Sequence, residues 1–186
     1  MTFYSLLLFA HITGVLFLFA GLVLEWALIS FLRRNPDLAP FRAWSRLFSL
    51  APRLYGPSLG VILLSGGYLG AQMSSWGQGW IRVSFVTLVL IGLIGATVTA
   101  PRARTIRKLL AVSSDSTLMA LQTRLHDPVL VASVRIRIAL VFGVLLLMVS
   151  KQGLVPSVIA ISCAAGFGLI IALPAWKRAP RPQATL

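Results

Sequence analysis

The chain is poor in the residues that most enzymes use for chemistry. Of its 186 residues only 4 are acidic, 2 are histidine and 1 is cysteine. Four carboxylates leave little material for general acid–base catalysis. A lone Cys163, set in an apolar run, excludes a disulfide framework and a thiolate metal cluster. No phosphate-binding loop, dinucleotide fingerprint, zinc motif or nucleophile elbow is present. The chain is therefore expected to be non-catalytic.

Charge is also scarce, while apolar residues are in excess. Hydrophobic residues make up 58% of the chain and charged residues 11%, with a mean hydropathy of +0.89. Ordinary soluble domains are ~45–50% apolar and ~25% charged, so lipid must serve as part of the solvent. The formal net charge of +13 could suggest nucleic acid. The basic residues fall between apolar runs and form no single soluble face, so no nucleic-acid partner is expected. A signal peptide is not expected either. The N-terminus lacks a basic segment, the first apolar run is too long, and no small-residue cleavage site follows it.

Five apolar runs are long enough to cross a hydrocarbon core, which needs ~20 residues. They are Phe3–Leu32, Leu54–Met73, Ile81–Ala100, Val129–Ser150 and Ser157–Trp176. Backbone groups in lipid must be satisfied within each segment, so all five are read as helices. The fold class is all-α: a polytopic membrane helical bundle forming one domain over residues 1–176.

Lysine and arginine set an orientation. Arg33, Arg34, Arg42, Arg46 and Arg53 lie between spans one and two. Arg102, Arg104, Arg107, Lys108, Arg124, Arg135 and Arg137 lie between spans three and four or at the entry to span four. Lys177, Arg178 and Arg181 lie in the tail. Only Arg82 and Lys151 fall on the other side. The positive-inside rule makes the three basic regions cytoplasmic, with the N-terminus outside and the C-terminus inside. The reading is a multi-pass membrane protein. Trp76, Trp80 and Trp176 sit at span ends, where indole favours the interface. Residues 101–128 are read as a cytoplasmic loop with an amphipathic helix carrying Leu118, Leu121 and Leu125, capped by Ser114 or Asp115. Pro101 is expected to end span three. Residues 177–186 are read as a mobile tail.

Small residues recur four apart: Gly56 and Gly60, Gly66 and Gly70, Gly92 and Ala96. Such spacing lets helix backbones approach closely. It serves packing within the bundle, dimerisation, or room for a flat cofactor; packing is the plainest of these.

Span one holds the chemistry. His11, Gly14, Leu18, Gly21 and Glu25 form one stripe of its helix. Ionisable groups in a span are costly, and each is a functional hypothesis. His11 and Glu25 are fourteen residues apart, about 21 Å along the axis, so they cannot act as a pair. In the plain reading His11 is a neutral imidazole bonded to a neighbouring helix, through Ser65 or Tyr68. In the sharp reading it is an axial ligand of a b-type haem, or a metal ligand. Glu25 is read as a structural ion pair with Arg135 or Arg137, and alternatively as a proton relay. Arg82, at the outer start of span three, either anchors the interface or neutralises an anionic group such as a haem propionate. Met73 and Met148 fall near the outer surface, and thioethers suit Cu(I).

Three stretches carry a resemblance. They are Leu6-Leu7-Leu8-Phe9-Ala10-His11-Ile12-Thr13-Gly14, Gly77-Gln78-Gly79-Trp80 and Leu145-Leu146-Leu147-Met148-Val149-Ser150-Lys151. Through them the chain resembles a bacterial integral-membrane family of unknown function (domain of unknown function 2269). That family looks distantly similar to the CopD copper-resistance membrane domain and to the membrane protoporphyrinogen oxidase. The likeness covers about residues 3–153 and implies a four-helix CopD-like core, with span five as an extra C-terminal helix. In the oxidase a first-helix histidine is implicated in haem binding, and His11 matches it. The oxidase also uses a lysine at the start of its third helix, whereas this chain reads Trp80-Ile81-Arg82-Val83-Ser84. The resemblance thus implies a haem held by His11, with Gly14 and Arg82 beside it, more than it implies the oxidase reaction. The leading expectation is a cofactor-binding or accessory component of a membrane complex. Copper transport or resistance, and a haem-dependent oxidoreductase, are the alternatives. The lipid bilayer is the expected partner, with other membrane subunits or further copies of the chain.

Overall fold

The computed structural model describes residues 2–34, 38–72, 75–111 and 115–177. Within these, side chains are described except at 38–46, 48–49, 75, 110–111, 115–118 and 175–177. Every described element is helical: α1 (Phe3–Arg34), α2 (Leu38–Gln72), a short 3₁₀ turn (Ser75–Gly77), α3 (Gly79–Ile94), a π-helical turn (Gly95–Thr99), α4 (Ala100–Ala111), α5 (Asp115–Leu125), α6 (Pro128–Ser150) and α7 (Leu154–Lys177). Five stretches are long and apolar enough to cross a membrane: Phe3–Arg34, Leu50–Gln72, Gly79–Leu109, Met119–Ser150 and Leu154–Pro174. The chain is an all-α polytopic membrane protein. Residues 178–186, read above as a tail, and Met73 lie outside the described residues.

Two connections differ from the sequence reading. The stretch 33–53 was expected as a basic loop, but α2 begins at Leu38 and runs through Pro52 and Pro57. Its low hydropathy hides a helix that extends beyond the apolar span. Pro101 does not end span three, because α4 carries the helix on to Ala111. The π turn just before it widens the helix, which relieves the clash of a proline ring with the preceding turn. Arg102 Nη1 then donates to the Val98 carbonyl at 2.8 Å.

α1 packs along α2, α3 packs on α6, and α1 also meets α6. α7 lies outside this group, against α6 and α3. The small residues of α1 set the closest approach. A Cβ on Gly14 would stand 3.0 Å from Ile62 Cγ1, and one on Gly21 would stand 3.0 Å from the Tyr55 backbone nitrogen. Gly14 therefore seats α2 and does not face a cofactor space. Gly56 and Gly60 have open space where a Cβ would stand, so they seat no helix. Gly66 abuts His11, Gly70 abuts Trp76 and Gly92 abuts Leu59, while Ala96 is exposed.

The core has layers along the bundle axis. One apolar cluster, with Leu28, Leu32, Ile106, Leu121, Leu125 and Leu130, fills the arginine-rich end. A second, with Leu18, Leu22, Ile62, Leu88, Ile91 and Leu140, fills the middle. Asp127 caps α6 by accepting from the Val129 N–H at 2.9 Å, with Pro128 at the first helical position. The same carboxylate accepts from Arg102 Nε at 2.9 Å. The α4–α5 segment is thereby tied to the foot of α6.

Candidate functional site

At the arginine-poor end, α1, α2, α3 and the last turn of α6 enclose a cavity of about 320 Å³. That is at the lower end of ligand-binding pockets, ~300–1,000 Å³. His11 enters it from α1, and its ring lies flat on α2 because residue 66 is glycine. A Cβ there would stand 2.9 Å from His11 Cε1.

Proton accounting fixes the state of the imidazole. Ser65 Oγ donates its only proton to the Val61 carbonyl, 2.5 Å away. It is left as an acceptor for His11 Nδ1 at 3.1 Å. Nδ1 therefore carries the hydrogen, which in the neutral ring leaves Nε2 with its lone pair; this tautomer is assigned from the hydrogen-bond network. The Ile62 backbone carbonyl is a second hydrogen-bond partner of the ring, on the same helix as Ser65. An imidazole held through one nitrogen, with a lone pair on the other, is how metal-ligating histidines are oriented.

The remaining lining divides by chemistry. Met148 contributes a thioether and Lys151 an ammonium group at the rim. Trp76 packs edge-on against Phe85, with ring centroids 5.5 Å apart, and covers Gly70. Ser84 also lines the cavity, and its buried hydroxyl has no hydrogen-bond partner among the described residues. Lys151 is the one non-glycine residue described with positive φ, at 48°. Its N–H closes α6 onto the Leu147 carbonyl at 2.9 Å. Left-handed non-glycine residues carry local strain and cluster at binding sites. Arg82 does not line this cavity. It sits in the adjoining surface cleft, which shares Gln78, Trp80 and Lys151 with it, and its Nε donates to the Trp76 carbonyl at 2.7 Å. Tyr68 accepts from Gln72 at 2.9 Å and has no bond to His11.

A second polar site lies deeper, between the two apolar clusters. Glu25 Oε2 accepts from Arg137 Nη2 at 2.6 Å, and both side chains are buried. Arg137 Cζ stands 5.3 Å from the centroid of the Tyr55 ring, a cation–π distance. Gly95 makes the room, since a Cβ there would lie 3.1 Å from Arg137 Nη1. The π turn begins at that glycine. Nε and Nη1 of Arg137 have no hydrogen-bond partner among the described residues. Arg135 points elsewhere, donating to the Ile171 carbonyl of α7.

Among the described residues no three His, Cys, Asp or Glu side chains gather as a metal centre. His11 and Met148 share the cavity at the arginine-poor end, while Glu25 and Arg137 form a separate, buried layer. The sequence reading missed Ser84, Lys151 and Tyr55. For Lys151 the signal was available, because it is one of two cations on the arginine-poor side. The chain matches no protein-family model, no curated protein and no solved structure.

Proposed function

We propose that this chain is a non-catalytic, multi-pass component of a bacterial inner membrane that seats a flat apolar cofactor, b-type haem, in its outer cavity. The observation that carries this is the oriented imidazole. His11 Nδ1 is engaged by Ser65, and Nε2 keeps a lone pair beside an apolar cavity. The donor set fits the group. Histidine and methionine are both iron ligands of haem proteins, and His11 and Met148 line the same space. Lys151 at the rim, with Arg82 in the next cleft, supplies positive charge for propionates. When bound, such a haem supplies one-electron exchange. The chain itself contributes ligand orientation, an apolar wall and a cationic mouth. This agrees with the resemblance of span one to the haem-binding helix named above.

The test is a visible spectrum of protein purified in mild detergent after haem-replete expression. The proposal expects a Soret band at about one haem per chain, lost in His11→Ala while the protein stays folded. Absence of the band in the wild type removes the haem reading. A second reading, Cu(I) handling, draws on the same pairing of imidazole and thioether. It expects a Met148→Leu strain to lose copper tolerance; unchanged growth over a copper series counts against it.

A further inference from the structure

A groove of about 770 Å³ runs down the lipid-facing side of the bundle, away from the His11 cavity. Its floor is α6 and its walls are α1 and α7. Along α6 it extends from Arg135 to Leu146, and along α7 from Ala160 to Ile171. Each stretch is twelve residues, about 16 Å of helix from end to end. That is half of a hydrocarbon core ~30 Å thick, about the length one acyl chain covers.

The two ends of the groove differ in chemistry. Leu146, four residues before the end of α6, and Ala160 mark the end nearer the arginine-poor face with apolar surface, whereas Arg135, Trp26 and Ile171 mark the end nearer the arginine-rich face. Arg135 is the only charged residue in the lining. It is fixed by donation to the Ile171 carbonyl, near the Ile170 carbonyl that Pro174 cannot serve. Among the described residues no carboxylate faces it. Its remaining N–H groups form a fork that suits phosphate. Trp26, 44% exposed, lines the same groove from α1.

We infer that the groove is a binding site for one anionic phospholipid of the arginine-rich leaflet. Its acyl chain lies between α1 and α7 over Phe142, and its phosphate sits on Arg135. The apolar track, as long as one acyl chain, and the single cation at its end nearer the arginine-rich face together select an amphiphile of that polarity.

Brominated lipids quench nearby tryptophan, which makes Trp26 the reporter. The intact protein is placed in phosphatidylcholine vesicles doped with equal small fractions of acyl-brominated phosphatidylglycerol or acyl-brominated phosphatidylcholine. The signal read is the quenching that disappears in Trp26→Phe. Phosphatidylglycerol is expected to associate about fivefold more strongly, the contribution of one basic residue at the membrane surface. The preference should fall to near parity in Arg135→Gln and persist in Arg135→Lys. Cys163 is exposed and lines the groove, so Cys163→Phe should lower Trp26 quenching by both lipids even if Arg135→Gln fails to fold. Equal quenching by the two lipids in the wild type overturns the assignment, as does a preference that survives Arg135→Gln or quenching unchanged in Cys163→Phe. Loss of the preference on adding inorganic phosphate would make this a free-anion site. Efficient oxidative dimerisation through Cys163 would put a second copy in the groove. Either result overturns the lipid.

Discussion

His11 and Glu25 lie on one stripe of α1, yet their surroundings differ in what they leave unsatisfied. At His11 one ring nitrogen is held by Ser65 and the other faces a cavity. At Glu25 the carboxylate is closed off by Arg137, with the Tyr55 ring beside the guanidinium and apolar clusters above and below. Two guanidinium nitrogens of Arg137, Nε and Nη1, stay without a hydrogen-bond partner among the described residues, but the side chain is fully buried. An ionisable group in a membrane span is a functional hypothesis. Access by a ligand separates a binding group from one that fixes helix register.

The largest effect should come from breaking the buried site by halves. Arg137→Met leaves Glu25 buried and unpaired, which is expected to cost about 3–5 kcal/mol. The double variant Glu25→Leu/Arg137→Met should recover most of that loss. Thermal unfolding in detergent measures both; a double variant as unstable as the single would mean that the pair does more than cancel charge. Next is Gly66→Ala, whose Cβ would meet His11 Cε1 at 2.9 Å. It should displace the imidazole and abolish the Soret band while the fold survives. Ser65→Ala should be milder. It removes the group that orients Nδ1, and loss of such a partner typically weakens metal affinity 10–100-fold. Haem titration would show it, and an unchanged affinity would deny Ser65 that role. The smallest effect belongs to Gly60→Ala, which meets open space. It should stabilise α2 by up to about 1 kcal/mol through helix propensity and leave both sites untouched.

Much of this contrast was legible in the sequence. The hydropathy pattern separates five spans, and the 3.6-residue period places His11 and Glu25 on one stripe. Ser65 stood among the neighbours named for His11, and Arg137 among those named for Glu25. Choosing between Ser65 and Tyr68, or between Arg135 and Arg137, needs the rotation of one helix against another. That rotation is set by close packing at Gly14 and Gly21, which no periodicity reports. The start of α2 was hidden because residues 38–49 are not apolar enough to read as a span. The need for glycine at residue 95 was invisible because the group packed on it is Arg137, forty-two residues later in the chain.

The most direct measurement compares visible spectra of three proteins prepared side by side after haem-replete expression: the wild type, His11→Ala and Glu25→Leu/Arg137→Met. The account predicts a Soret band in the wild type and in the double variant, and none in a folded His11→Ala. A band that survives in His11→Ala, or one missing from all three, would contradict it.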